Sequence, residues 1–378
     1  MPQQPFREHH LLAILEGYSL QDLPLDLYIS RYFRAHKALG SKDRAYIVET
    51  LYALIRWKGL IDHLLGSNSP WPQRWQLLAS EQFAEAQKDS SLPWHVRLSF
   101  PEELFNMILE AYGLEQTIEL CLASNKPAPT TVRSNPLKIS RDDLLALWQG
   151  VYDVALCTKT PYGITFNKKI NLFGLPEFKK GFFEVQDSAS QQLALLVQPL
   201  PGQTVLDYCA GSGGKTLAFA PAMENRGQIF LHDIRPHALQ EARKRLKRAG
   251  IQNAQIVIAN DPKLKKLKKN CDWVLVDAPC SGSGTLRRNP DMKWKIDGAL
   301  VRRLVSSQRQ IFEKALSYLK PGGKIIYATC SLLREENQQQ CAHFMSTYNL
   351  QLVQEPFQTL PANGMGDGFF GAVLQRSS

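Results

Sequence analysis

Val205-Leu206-Asp207-Tyr208-Cys209-Ala210-Gly211-Ser212-Gly213-Gly214-Lys215-Thr216 decides the fold. An apolar strand runs into a glycine turn, and a helix follows. Glycines let a backbone approach a ligand closely, and a helix N-terminus offers unpaired N–H groups. Such a turn alone is a weak signal. It is strengthened by Asp233, 20 residues after Gly213 at the end of the next strand, where a carboxylate suits ribose hydroxyls. Asp261 closes the third strand, where an adenine amino group could be held or the carboxylate could face solvent.

Around this turn, strands and helices alternate. Strands are expected at Thr204–Tyr208, Gln228–Asp233, Gln255–Ala259, Trp273–Asp277 and Lys324–Thr329, with Phe369–Leu374 closing the set. Helices are expected near Gly214–Met223, Pro236–Ala249, Leu300–Leu319 and Glu335–Tyr348. That alternation implies βαβ units and a parallel sheet.

Two cysteines lie at strand ends: Cys280 in Asp277-Ala278-Pro279-Cys280 and Cys330 in Thr329-Cys330-Ser331. Strand ends of a parallel sheet open into the ligand crevice, so both thiols are expected to face one site. Thiols beside a nucleoside cofactor suit methyl transfer to a pyrimidine. Carbon-5 of cytosine is a poor nucleophile, and a thiolate adding to carbon-6 activates it. S-adenosylmethionine fits better than a dinucleotide, because the turn lies deep in the chain and Asp261 closes the third strand. Asp277 could donate to cytosine N3 or hold the cofactor's ammonium. Position alone does not choose the attacking cysteine. Cys121, Cys157, Cys271 and Cys341 read as small buried hydrophobes, and Cys209 as a backbone contributor to the turn.

The chain has 378 residues, enough for two or three domains. Its net charge of +10 favours a polyanionic partner, with nucleic acid the default. Basic residues cluster at Arg243-Lys244-Arg245 with Lys247-Arg248, between Lys263 and Lys269, and at Arg287-Arg288. The first cluster reads equally as a solvated helix face; the last, after the Cys280 loop, is the better grip on RNA phosphates. Seven cysteines without paired metal-ligand spacing argue against a disulfide framework and a zinc site, and suit a reducing cytoplasm. Met1-Pro2-Gln3-Gln4-Pro5 lacks a secretory leader pattern, and no stretch has bilayer-crossing length.

The first third reads as helical, with apolar three- and four-residue spacing in Leu11–Leu15 and Asp43–Trp57, where Ser41 or Asp43 could supply a cap. Gly66–Pro72 reads as loop, and more helix is expected from about Glu102 to Ser124. Asn125-Lys126-Pro127-Ala128-Pro129 ends this region. A small α/β module follows to Glu184, with strands at Thr131–Arg133 and Ile164–Phe166 and a helix at Arg141–Trp148.

The segments Asp277–Asp291, Tyr327–Ser331 with Glu335-Glu336-Asn337, Val185–Gln191 and Asp367–Phe370 resemble the RsmB/Nop/Sun family of RNA 5-methylcytosine methyltransferases. The resemblance implies an α/β class I S-adenosylmethionine methyltransferase (Rossmann-like) domain over 185–378. It implies a small RNA-recognition-like module over 126–184 and a helical NusB-like domain over 1–125, the last carried by Ser41–Arg44 and Leu54–Trp57. It implies methylation of carbon-5 of cytosine in RNA, rRNA first, by a cytoplasmic enzyme expected to be a monomer without metal or membrane partner. A tRNA enzyme and an inactive RNA-binding assembly factor are the alternatives. Cys330 becomes the nucleophile and Cys280 the aid to release. Lys215 and Asp277 lie beside the reacting base, and Cys209, Ala210, Gly211, Ser212, Gly213, Gly214, Lys215, Asp233, Asp261 and Asp277 form the cofactor site. Three departures stand out. Gly211-Ser212 replaces the family's Ala-Pro in the turn, which should loosen it. Ala238 replaces an arginine for which Arg235 or His237 could compensate. Arg334 stands where the family tends to have proline.

Overall fold

The computed structural model describes residues 5–18, 23–259, 261–361 and 366–376. Met1–Gln4, the start of the segment without a leader pattern, lie outside them. The chain forms two compact units, one of residues 1–127 with 285–300, the other of 128–284 with 301–378.

The first unit is helical. Its core gathers Leu11, Ile14 and Leu15 from helix Phe6–Tyr18 with Ile47, Leu51 and Leu54 from helix Ser41–Arg56. Neither Ser41 nor Asp43 caps that helix, because Gly40 takes the N-cap position and Ser41 is already helical. The expected loop at 66–72 ends early: Trp71 opens a helix that accepts Pro72 in its first turn, where a missing N–H costs nothing. The helix expected over Glu102–Ser124 forms as Glu102–Tyr112 and Leu114–Ser124, which meet at Gly113 with φ of 74°. Segment 285–300 was not expected in this unit. Lys293 anchors it, donating to Arg56 O at 2.6 Å and Asn125 Oδ1 at 2.9 Å, and Trp294 Nε1 donates to Ile55 O at 2.8 Å. Burial holds the Lys293 ammonium well below its ordinary pKa.

The second unit contains two sheets. The smaller is antiparallel, in the order β2-β3-β1-β4, from β1 (Thr130–Ser134), β2 (Val154–Leu156), β3 (Gly163–Phe166) and β4 (Phe183–Val185). Its strands β2 and β4 are three residues long, too short to show alternation in the sequence. The boundary expected after 184 lies inside this unit, where the small module is bonded to helix Pro236–Ala249. Asn135 Nδ2 donates to Ala249 O at 2.8 Å, and Arg248 reaches Glu184 Oε1 at 2.5 Å.

The larger sheet contains β5 (Thr204–Asp207), β6 (Gln228–His232), β7 (Ala254–Val257), β8 (Cys271–Asp277), β9 (Leu319–Thr329), β10 (Leu350–Leu352), β11 (Phe357–Thr359) and β12 (Phe369–Arg376). Its order is β10-β12-β9-β8-β5-β6-β7, with β11 on β12. Strands β5 to β9 pair in parallel, and the C-terminal strands add antiparallel. Side chains alternate between faces along each strand. Val205, Leu231, Leu275 and Ile326 therefore meet helices 188–194 and 236–249 on one face. Leu206, Phe230, Val274 and Ile325 meet helices 298–316 and 338–348 on the other. Burial on both faces explains why these strands read as unbroken apolar runs. The helix expected at 214–223 is a four-residue turn, Thr216–Phe219, continued as a 3-10 turn through Pro221. Among the described residues no helix is long and apolar enough to cross a membrane.

Candidate active site

The chain runs from β5 outward in both directions, to β6 and β7 on one side and, later, to β8 and β9 on the other. At such a switch point the loops leaving neighbouring strands diverge and a crevice opens at the strand ends. Asp207 ends β5 and Asp277 ends β8, one on each of these adjacent strands.

The two thiols meet because β8 and β9 are parallel and in register. Asp277 pairs with Ala328, and Ala278 N continues the ladder to Ala328 O at 2.8 Å. Cys280 and Cys330 follow three and two residues beyond that pair. Their sulfurs lie 3.4 Å apart, and Cys330 N donates to Cys280 Sγ at 3.3 Å. Both residues are half-buried. The bond to Cys330 pushes the Cys280 thiol well above its ordinary pKa, with burial and the charges of Cys330 and Glu336 adding to it. A thiol held protonated is a weak nucleophile and an available proton donor.

Lys215, at the end of the glycine turn, forms an ion pair with Asp277 Oδ2, and its side chain is only 10% exposed. Burial would lower the Lys215 ammonium, but Asp277 outweighs it, with Cys330 and Asp207 adding to the upward shift. Lys215 is therefore held charged.

The turn itself is tightly specified. Gly211 and Gly213 take φ of 53° and 77°, conformations that favour glycine, and Gly214 has open space where a Cβ would stand. Asp233 Oδ2 accepts from Gly211 N at 2.8 Å. Arg235 closes on the same carboxylate through Nε at 2.9 Å and a terminal nitrogen at 3.0 Å. Burial works against the charge on Asp233, but these donors prevail and hold its pKa below the ordinary value.

Three functional features escaped the sequence reading. Asp207 is buried; its Oδ2 accepts from Thr216 Oγ1 at 2.6 Å, whereas Oδ1 has no hydrogen-bond partner. Burial pushes its pKa up to about 7, with Asp277 and Asp233 adding to the effect. Its position, a charge closing an apolar strand before a glycine turn, was the available signal. Arg245 donates to Ser212 O at 3.0 Å and Ser212 Oγ at 2.7 Å, and its other edge is held by Glu184 at 3.0 Å. A side-chain clamp thus stands where the resemblance expects proline. Nothing in the basic run 243–248 distinguished Arg245. Glu336 and Asn337, quoted only as part of the resemblance, are fully buried.

The remaining sequence candidates are largely engaged within the chain. Arg245 and Arg248 are bound to Glu184 and are not an open phosphate surface. Arg287 is 3% exposed and Arg288 is half-buried. Asp261 Oδ1 accepts from Lys263 N at 2.9 Å and caps helix Pro262–Leu267, so the lysine run is a short helix. Cys121, Cys157, Cys271 and Cys341 are buried, and Cys209 is half-buried in the turn.

The residues fit a nucleoside cofactor carrying a cation. The buried, partnerless Asp207 oxygen suits an ammonium, Asp233 suits hydroxyls, and the turn offers close backbone approach. Sheet order, turn and carboxylates define a class I methyltransferase domain. The family described as 16S rRNA methyltransferase RsmB/F matches residues 194–375, and the RsmF/B-like ferredoxin-like domain matches 100–172. Ribosomal RNA small subunit methyltransferase B of Sodalis glossinidius is 35% identical over 369 residues, covering 93% of this chain and 80% of the relative. The protein of that name from Photorhabdus laumondii is 33% identical, covering 84% and 73%. The crystal structure of PH0851 matches with a TM-score of 0.82 at 22% identity, over 98% of both chains. A methyltransferase homolog protein from Pyrococcus horikoshii matches at 0.65 and 26% identity, over 79% of this chain and 100% of that one.

The chain belongs to the 16S rRNA methyltransferase RsmB/F family. It is an S-adenosylmethionine-dependent RNA methyltransferase acting on carbon-5 of cytosine.

Proposed function

We propose that the substrate is ribosomal RNA and that methylation proceeds through a temporary bond between Cys330 Sγ and carbon-6 of the target cytosine. The observation carrying this reading is the thiol pair 3.4 Å apart, one member of which is held protonated. Cys330 attacks, and Lys215, kept charged by Asp277, donates to the ring as negative charge develops. Bound S-adenosylmethionine supplies the methyl group. Solvent water takes the carbon-5 proton, the 5,6 double bond re-forms as the carbon–sulfur bond breaks, and the Cys280 thiol stabilises the departing Cys330 thiolate by hydrogen bonding.

In the cofactor site, Asp207 holds the ammonium and Asp233 the ribose hydroxyls, which replace Arg235's bonds. The free oxygen of Asp261 takes the adenine amino group, and backbone from Cys209 and Ala210 through Gly214 lines the turn. The helical residues 1–125 and module 126–184 supply RNA contacts, exposed Arg243, Lys244 and Lys247 adding phosphate affinity. Seven free cysteines support a cytoplasmic setting. Bisulfite sequencing of total RNA with and without the enzyme is the deciding experiment. A protected cytosine confined to small-subunit rRNA is expected; protection in tRNA, or none, overturns the assignment.

The raised Asp207 carboxyl gives a pH signature. It is partly protonated below about 7 in the free site, and an ammonium favours its ionised form, so cofactor binding releases a proton there. Affinity for S-adenosylmethionine therefore falls as pH drops through 7. Calorimetry in buffers of different ionisation enthalpy should detect that proton, and Asp207→Asn should abolish it.

The Arg245 clamp gives a second expectation. Arg245→Met frees Ser212 and weakens S-adenosylmethionine binding roughly tenfold, the size expected for one charge-assisted hydrogen-bond set. Titration calorimetry reads this directly; unchanged affinity would make the clamp ornamental.

A further inference from the structure

Glu336 and Asn337 are adjacent, both with no exposed surface, and each holds a different thiol loop. Glu336 holds the Cys280 loop. Its Oε1 accepts from Ser281 N at 2.9 Å and its Oε2 from Ser281 Oγ at 2.5 Å. Gln308 Nε2 donates to Glu336 Oε1 at 2.9 Å and to Pro279 O at 3.1 Å, so both neighbours of Cys280 are fixed. Asn337 holds the Cys330 loop. Its Oδ1 accepts from Thr329 Oγ1 at 2.5 Å, and its Nδ2 donates to Ser331 O at 2.8 Å, so both neighbours of Cys330 are fixed as well. Between the loops, the hydroxyls of Ser281, Ser283 and Ser331 lie 3.1 to 3.2 Å from one another, and Leu332 N donates to Ser283 Oγ at 2.8 Å.

A buried carboxylate held only by neutral donors is costly to place, and a half-satisfied network would be worse than an apolar core. Packing alone has no need of it. We infer that Glu336 and Asn337 form a gauge that sets the distance between the two sulfurs, each residue holding one loop, and that they are positioning residues for attack by Cys330 and for release aided by Cys280. The inference rests on the thiol roles proposed above.

Two substitutions test it. Glu336→Met keeps the side-chain length but leaves Ser281 N and Gln308 Nε2 without their acceptor. Asn337→Asp sets a carboxylate oxygen against Ser331 O. Dibromobimane, which fluoresces when it links two thiols, should bridge Cys280 to Cys330 in the full chain, with Cys280→Ala and Cys330→Ala as blanks. Both variants should bridge about tenfold more slowly, a misplacement below one ångström being enough for such an effect. A bridging rate equal to wild type in either variant overturns the gauge.

A second readout separates the two prongs. On denaturing gels during turnover, Glu336→Met should accumulate RNA–protein adduct relative to product, whereas Asn337→Asp should form less adduct. An equal fall in both quantities for both variants would mean a merely structural role and would overturn the division of labour. Slower bridging together with no adduct from Cys280→Ala would leave the gauge standing and remove the release role of Cys280.

Discussion

Cys330→Ala is expected to abolish methyl transfer, by roughly 10⁴-fold or more, the scale seen when a covalent nucleophile is removed. No RNA–protein adduct should form. Cys280→Ala should behave differently: attack and methyl transfer proceed, but the bond to carbon-6 persists and an adduct survives denaturing electrophoresis. The asymmetry comes from the geometry. Cys280 is kept protonated by its bond to Cys330 and by burial, so it is a weak nucleophile and an available hydrogen-bond donor. Adduct from Cys330→Ala and none from Cys280→Ala would exchange the roles. Full turnover by both variants would end covalent catalysis as an account of this enzyme.

Asp277→Asn carries the second large effect. Lys215 is 10% exposed, and Asp277 is the charge that keeps it an ammonium against the burial that would lower its pKa. Without that carboxylate the Lys215 pKa falls, and the donor to the cytosine ring is lost at neutral pH. Turnover should drop about 10²- to 10⁴-fold, the usual worth of a positioned acid. The sign of the pH effect follows: protonation of Lys215 is recovered as pH falls, so the alkaline limb of the kcat profile moves to lower pH. A profile reduced in height with an unmoved alkaline limb would show that Lys215 acts other than as an acid.

The larger sheet was legible because burial on both faces writes unbroken apolar runs into β5, β6, β8 and β9, and the glycine turn marks where the ligand approaches. The meeting of Cys280 with Cys330 was legible for the same reason, since parallel strands in register carry both residues past the same edge. Three-residue strands such as β2 and β4 leave too short a pattern to read. Buried polar residues were harder, because their meaning depends on partners far along the chain. Glu184 acquires its role from Arg245, 61 residues away, and Glu336 from Ser281, 55 away. The helix expected to start at Glu335 starts at Gln338, because Glu336 and Asn337 lie in the preceding turn with their side chains bonded to the thiol loops. The burial of Arg287 was likewise not legible from its sequence position.

The residence of 285–300 among the N-terminal helices has a consequence for biosynthesis. Asn125 and the carbonyl of Arg56 await the ammonium of Lys293, and Ile55 awaits the indole of Trp294. These helices cannot complete their packing while the nascent chain is still short of that stretch. A recombinant fragment ending near 127 would lack its last structural piece, and one beginning at 128 would display that piece without its socket. Expression of either half should yield a less stable product than co-expression of both.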